Sequence, residues 1–167
     1  MATNTNFNIN VNDLISSIFG SDKERNDLAV GIQNQCGDSV KVNFYVDHGS
    51  LRDMDDGDKI AQGELWEVGV HAKGAGSNIT MNITMPNGSG WAIMAATPVD
   101  KENYFKIATS ETGYSSSKDA YKAASGKSKH YSGDGIYDET FNGYSAVVSM
   151  TGESPAACTI VLERASS

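Results

Sequence analysis

The chain has 167 residues, is 39% apolar and carries a formal net charge of −8. That length suits one domain with a single core. The acidic balance disfavours nucleic acid, whose phosphates need cations, and no run approaches the roughly 18 apolar residues of a spanning helix.

From the N-terminus, Phe7, Ile9 and Val11 alternate with Asn8 and Asn10, which predicts a short first strand. Asn12 or Asp13 then caps a predicted helix over 12–19, where Leu14, Ile15, Ile18 and Phe19 share one face and Gly20 stops it. Strands are predicted over 28–33 and 40–46. The run from Asp53 to Asp58 resembles a calcium loop, but Gly57 falls one place early for that motif, so an acidic hairpin turn is expected. After a strand over 64–72, Ile79, Met81, Ile83 and Met85 alternate with Asn78, Thr80, Asn82 and Thr84. A period of two puts the polar set on one sheet face and the apolar set on the other. Residues 86–90 carry turn chemistry, and the chain returns as a strand over 91–97. The acceptor patterns at Asn78, Asn82 and Asn87 read as sheet surface rather than sugar sites.

A strand over 104–109 precedes a predicted helix over 116–125, with Ser116 and Asp119 at capping-box spacing and Gly126 at its end. Lys118 and Lys122 are four apart and share a face, with Tyr121 beside them. Strands over 144–151 and 158–163 close the chain. Many short strands without long helices between them predict an antiparallel sandwich or barrel. An N-terminal segment, 1–27, is expected to precede a sandwich domain, 28–167.

No motif carries chemistry. His48, His71 and His130 lack metal-ligand spacing, no nucleophile elbow or phosphate-binding glycine loop is present, and no enzyme, metal or cofactor is expected. Cys36 and Cys158 are open to two readings, a bridge between the chain ends or two buried thiols. Residues 101–130 are locally cationic, with Lys101, Lys106, Lys118, Lys122, Lys127 and Lys129 against Glu102, Glu111 and Asp119. Tyr104, Tyr114, Tyr121, Tyr131, Tyr137 and Tyr144 also fall late in the chain. Such rings serve core packing, a cage for a quaternary ammonium, or a membrane interface.

Several stretches, in order, resemble the actinoporins, the sea-anemone pore-forming cytolysins. They are Leu28 to Gly37, Glu67 to Val70, Gly90 to Asp100, Tyr131 to Asp134 and Gly143 to Leu162. The resemblance implies a compact all-β antiparallel sandwich flanked by two short α-helices. It further implies recognition of a phosphocholine headgroup, homo-oligomerisation on membranes and insertion of an N-terminal segment. Val68, Pro98, Tyr104 and Tyr121 match headgroup positions, which predicts one exposed concave patch near Lys118 and Lys122. In a second register Tyr104 pairs with Phe105 as a membrane-facing aromatic pair. Leu14, Ile15, Ile18 and Phe19 match the inserting segment.

The chain departs from that pattern at several places. Val99 stands where the family has an aromatic, Ala96 and His48 replace serines, and Ser125 and Gly126 replace tyrosines. A lectin-like, glycan-binding module on the same sandwich is therefore the alternative. The first ten residues, MATNTNFNIN, lack the order of a secretory signal. The expectation is a soluble monomer, released without a recognisable signal and acting at a target membrane or glycan.

Overall fold

The computed structural model describes residues 9–55 and 57–165. Among them, α1 (Val11–Phe19) is followed by β1 (Leu28–Gln35), β2 (Val40–His48), β3 (Ser50–Met54), β4 (Lys59–Ile60) and β5 (Leu65–His71). Then come β6 (Gly76–Thr84), β7 (Gly90–Pro98), β8 (Tyr104–Ser110), α2 (Ser117–Ser125) and β9 (His130–Tyr131). The chain closes with β10 (Tyr137–Phe141), β11 (Tyr144–Met150) and β12 (Ala156–Arg164). Two six-stranded sheets result, ordered β10-β11-β12-β1-β5-β3 and β4-β2-β6-β7-β8-β9. The first carries α1 on its outer face and the second carries α2, so the molecule has four layers. The fold is the expected helix-flanked β-sandwich.

Three details differ from the sequence expectation. The first sheet is mixed, because β1 and β12 run parallel from Leu28↔Ala156 to Gln35↔Glu163; a pairing between the chain's two ends leaves no local signature. Phe7 lies outside the described residues, and Val11 opens α1 instead of ending a strand. The cap is Asn10, whose side chain accepts the Asp13 N–H at 3.0 Å and thereby satisfies one orphan donor of the first turn. The acidic run is not a hairpin turn either. Its first residues end β3 in the α1 sheet, whereas β4 just beyond it belongs to the α2 sheet, so the run crosses the sandwich edge. Asp56 lies outside the described residues.

Each sheet turns its large alternate residues inward. Val68 and Val70 of one sheet meet Ile79, Met81, Ile83, Trp91 and Ile93 of the other in a core that also holds Cys36 and Cys158. Both cysteines are free thiols, and burial pushes the Cys158 pKa up to about 12. On the outer face of the first sheet, Leu14, Ile15, Ile18 and Phe19 pack on Ala29, Val147, Ala157 and Val161. Gly69 lets α1 approach that closely, since a Cβ there would stand 2.1 Å from Ile18 Cγ2.

The polar face of β6 is not sheet surface. Asn78, Thr80 and Asn82 are buried beneath α2, which packs Ala120 and Ala124 against Ala92, Met94 and Ala108 of β7 and β8. Small residues on both sides bring the helix close, and the polar ladder of β6 lies under it. Asn82 Nδ2 donates to Asn43 Oδ1 at 3.1 Å, yet the oxygens Asn78 Oδ1, Thr80 Oγ1 and Asn82 Oδ1 have no protein partner among the described residues. An orphaned buried hydroxyl costs about 1–3 kcal/mol. Thr80→Val, which keeps the shape and removes the hydroxyl, is expected to raise the melting temperature. A lower one in thermal denaturation would show that the hydroxyl is satisfied by solvent.

Candidate functional site

The residues singled out from sequence do not form one patch. Val68 is wholly buried on the inner face of β5, so no ligand reaches it. Phe105 is 1% exposed and stacks on His130 at 5.1 Å. Tyr104 and Phe105 are consecutive in β8 and point to opposite faces, which excludes them as an outward-facing pair. Tyr121 packs on Tyr45 of β2, with ring centroids 5.0 Å apart. Burial, then a hydrogen bond to Asp47, raises the Tyr121 pKa.

Sheet register shows how far Tyr121 lies from Tyr104. Tyr45 pairs with Thr80, Thr80 with Met94 and Met94 with Lys106, so one row crosses β2, β6, β7 and β8. Three strand spacings separate Tyr45 from Lys106, about 14 Å. Helix α2 lies over that row, and the two tyrosines sit at opposite flanks of it. Lys118 and Lys122 are exposed on α2.

Pro98 and Tyr104 do come together. They line a cavity of about 500 Å³ with Lys101, Glu102, Lys129 and Tyr131, at the end of the α2 sheet where β7, β8 and β9 meet. Pairing of Tyr104 with Tyr131 across β8 and β9 sets the two rings edge to face, 6.4 Å apart. Lys129 Nζ stands 4.6 Å from the Tyr104 ring centre and Lys106 Nζ 5.9 Å, both within cation–π range. Lys106 also donates to the Ser125 carbonyl at the end of α2, at 2.9 Å. Burial and the neighbouring Lys129 charge lower its pKa.

Backbone contacts hold together the loops that carry these lining residues. Glu102 Oε2 accepts the Gly133 N–H at 2.8 Å and the Ser132 hydroxyl at 3.4 Å, holding the 3-10 turn Ser132–Asp134 against the 99–103 loop. Asn103 is buried; its Nδ2 donates to the Thr151 carbonyl at 2.9 Å, and its carbonyl accepts the Ser132 N–H. Tyr131 is 38% exposed, and Val99, next to the lining Pro98, is 39% exposed. The cleft thus combines ammonium groups, two rings and an apolar rim.

Sequence reasoning missed Lys101, Lys106, Lys129 and Tyr131 as site residues. The lysine-rich, tyrosine-bearing composition of the segment was the available signal, but only the β8–β9 pairing selects which lysines meet which ring.

A second cluster lies where α1 leads into β1. Glu24, Asp27 and His71 bring ligand-type atoms within 4.8 Å of one another. Asp27 is fully buried, and its oxygens accept from Glu24 N at 2.6 Å and Ala72 N at 2.9 Å and meet His71 Nδ1 at 2.9 Å. Both its oxygens are engaged by these neighbours, which makes the group a latch for the linker.

No family model matches the chain, and no curated protein sequence matches it. Solved structures do. The lipid binding protein Nakanori superposes with a TM-score of 0.64 at 15% identity, covering 83% of this chain and 71% of its own. IP-1A from Alcaligenes faecalis gives 0.52 at 11% identity, covering 91% of this chain and 98% of its own. These likenesses show a shared fold. Among the described residues no helix is long and apolar enough to cross a membrane.

The Tyr45–Tyr121 ring pair, which joins α2 to β2, is structural in this geometry. Tyr121→Ala removes the contact with Tyr45 and the hydrogen bond to Asp47. It is expected to lower stability by about 1 kcal/mol or more, read as a drop in melting temperature, with ligand binding at the cleft unchanged.

Proposed function

We propose that this protein binds the phosphate-bearing headgroup of a membrane lipid in the cleft between Tyr104 and Tyr131, as a non-enzymatic lipid-binding module. The observation that carries this reading is that Lys101 and Lys129 line one open cleft with the rings of Tyr104 and Tyr131, while Lys129 and Lys106 both stand over the Tyr104 ring. Ammonium groups serve phosphate oxygens as point charges, and tyrosine is at home at a bilayer surface, ring toward apolar and hydroxyl toward water. The exposed Val99 and Tyr131 give the rim apolar contact with the interface. The structural likeness to a lipid binding protein supports the same reading.

The phosphocholine expectation rests on the sequence resemblance, and the cleft supports its phosphate half. The glycan alternative draws support from the exposed Tyr131 ring, on which a sugar can stack. Against it, the adjacent Glu102 oxygen is already committed to Ser132 and Gly133.

Pore formation by oligomers belongs to this reading as a separate, second step. With nine residues, α1 is about 14 Å long, and a spanning helix needs about 30 Å. A lytic step therefore requires α1 to leave its sheet and the helix to lengthen. Exposing Leu14, Ile15, Ile18 and Phe19 forfeits roughly 6–12 kcal/mol of burial, which only transfer into a bilayer can offset.

Two measurements separate these steps. Tyr131→Ala is expected to weaken vesicle binding about 5-fold with the melting temperature unchanged; equal binding to vesicles alongside lost binding to glycans would favour the lectin reading. For the second step, Gly69 and Ile18 are placed for a lock, since an ideal Gly69 Cβ is 3.4 Å from Ile18 Cβ, close to disulfide separation. Oxidised Ile18→Cys/Gly69→Cys protein should bind vesicles but release no calcein, and reduction should restore release. Undiminished release from the locked protein would exclude insertion of this segment. No release from wild-type protein at saturating binding would leave a binder without lytic activity.

A further inference from the structure

Resting on the lipid reading above, we propose that the cleft selects a phosphate monoester headgroup, held by the lining Lys101 and Lys129 with Lys106 beside them at the Tyr104 ring, and disfavours a quaternary ammonium. A choline group needs an open ring face. Tyr104 does not offer one, because Lys129 and Lys106 already stand over that ring at 4.6 and 5.9 Å, which leaves the half-exposed Tyr131 ring, a single face and not a cage, in a cavity it shares with Lys101 and Lys129. An incoming cation would have to displace an ammonium covalently tethered beside its site. It would also enter a cavity lined by Lys101 and Lys129 against the single carboxylate of Glu102, one oxygen of which is engaged by Ser132 and Gly133.

The lysines, in contrast, are short of anions. Among the described residues none of the three forms an ion pair with a carboxylate; the ion pairs present join Arg25 to Asp100, His48 to Asp47, Arg52 to Asp22 and His71 to Asp27. Glu102 lines the cavity but turns Oε2 to Ser132 and Gly133. Lys106 spends one donor on the Ser125 carbonyl and keeps two for a ligand. The depressed pKa of Lys106 reports its burial and the repulsion of Lys129, a repulsion that a bound anion would relieve. A monoester phosphate carries close to two charges and three terminal oxygens at neutral pH, so it can meet several ammonium groups together. A diester presents one charge. The occupant is assigned to a membrane because Tyr131 and Val99 are exposed at the rim. The net charge of −8 resides largely outside residues 101–130, and its repulsion from an anionic surface is screened beyond about 8 Å at physiological salt.

The test is flotation with vesicles of phosphatidylcholine alone, or with phosphatidate (monoester) or phosphatidylglycerol (diester) mixed in at equal mole fraction. Inorganic phosphate and a sulfated polysaccharide serve as soluble probes. Phosphatidate vesicles should bind at least about 10-fold more tightly than phosphatidylcholine, and phosphatidylglycerol should fall between them. Lys129→Gln and Lys101→Gln should each cost about 5-fold on phosphatidate. Lys59→Gln, at the opposite edge of the same sheet, removes the same charge and should cost nothing. Equal binding to phosphatidate and phosphatidylglycerol would overturn the monoester preference. Equal binding to all three vesicles, with Lys129→Gln strengthening the phosphatidylcholine case, would overturn the inference and leave the lipid reading standing. Binding of inorganic phosphate or the polysaccharide without any vesicle would overturn the membrane source. No binding to any vesicle or probe would sink the lipid reading itself.

Discussion

A carboxylate taken out of water must be given donors or lose its charge, and Asp27, at the end of the α1–β1 linker, meets Glu24 N of the linker together with the His71 ring and Ala72 N at the end of β5. Its own carbonyl accepts the N–H of Ala156, where β12 begins. The preceding residue, Asn26, has a positive φ of 66°, which turns its carbonyl toward the other sheet. There it accepts from Ser77 Oγ at 2.8 Å and Thr97 Oγ1 at 2.7 Å. Two adjacent residues therefore tie β1, β5 and β12 of one sheet to β6 and β7 of the other. The parallel β1–β12 pair, in which the two ends of the domain meet, starts from this node.

The node also places the cleft. Thr97, held by Asn26, precedes Pro98, and Asp100 pairs with Arg25 at 3.5 Å across the same end of the sandwich. The segment that would have to move in any insertion and the cavity that would receive a headgroup are thus attached to one set of loops. A ligand drawing on Lys101 acts one residue from Asp100, which in turn contacts the linker of α1. This adjacency would give the proposed headgroup binding a short physical route to the N-terminal helix, through loops and not through the core.

Helix α2 decides what the second sheet can offer. Because alanines let it settle onto β7 and β8, it covers the amphipathic face of β6 and divides the tyrosines into two groups. Tyr45 and Tyr121 are engaged with each other on one flank, while Tyr104 and Tyr131 meet on the other beside Lys106 and Lys129. A site with all its rings on one ligand is therefore not available in this conformation. What remains is a smaller aromatic pair with an excess of ammonium groups, and its chemistry follows from that excess.

The amino-acid sequence alone determined the elements whose physics is local. Strict alternation in β6, the turn before β7 and the Ser116 cap of α2 could be read directly, because each depends on neighbours a few residues away. The apolar face of α1 was equally legible, and so was the sandwich class, from many short strands without long helices. The exposed and short strands β3, β4, β9 and β10 carried too little apolar pattern to declare themselves. Tertiary structure decided the rest. Which face of β6 is covered depends on a helix more than thirty residues later. Whether Val68 and Phe105 point in or out depends on which sheet face meets the core. Which lysines crowd Tyr104 depends on a pairing between Tyr104 and Tyr131 that spans α2. Side-chain chemistry was written in the composition, but its convergence is a property of long-range register, and register is set by the whole core at once.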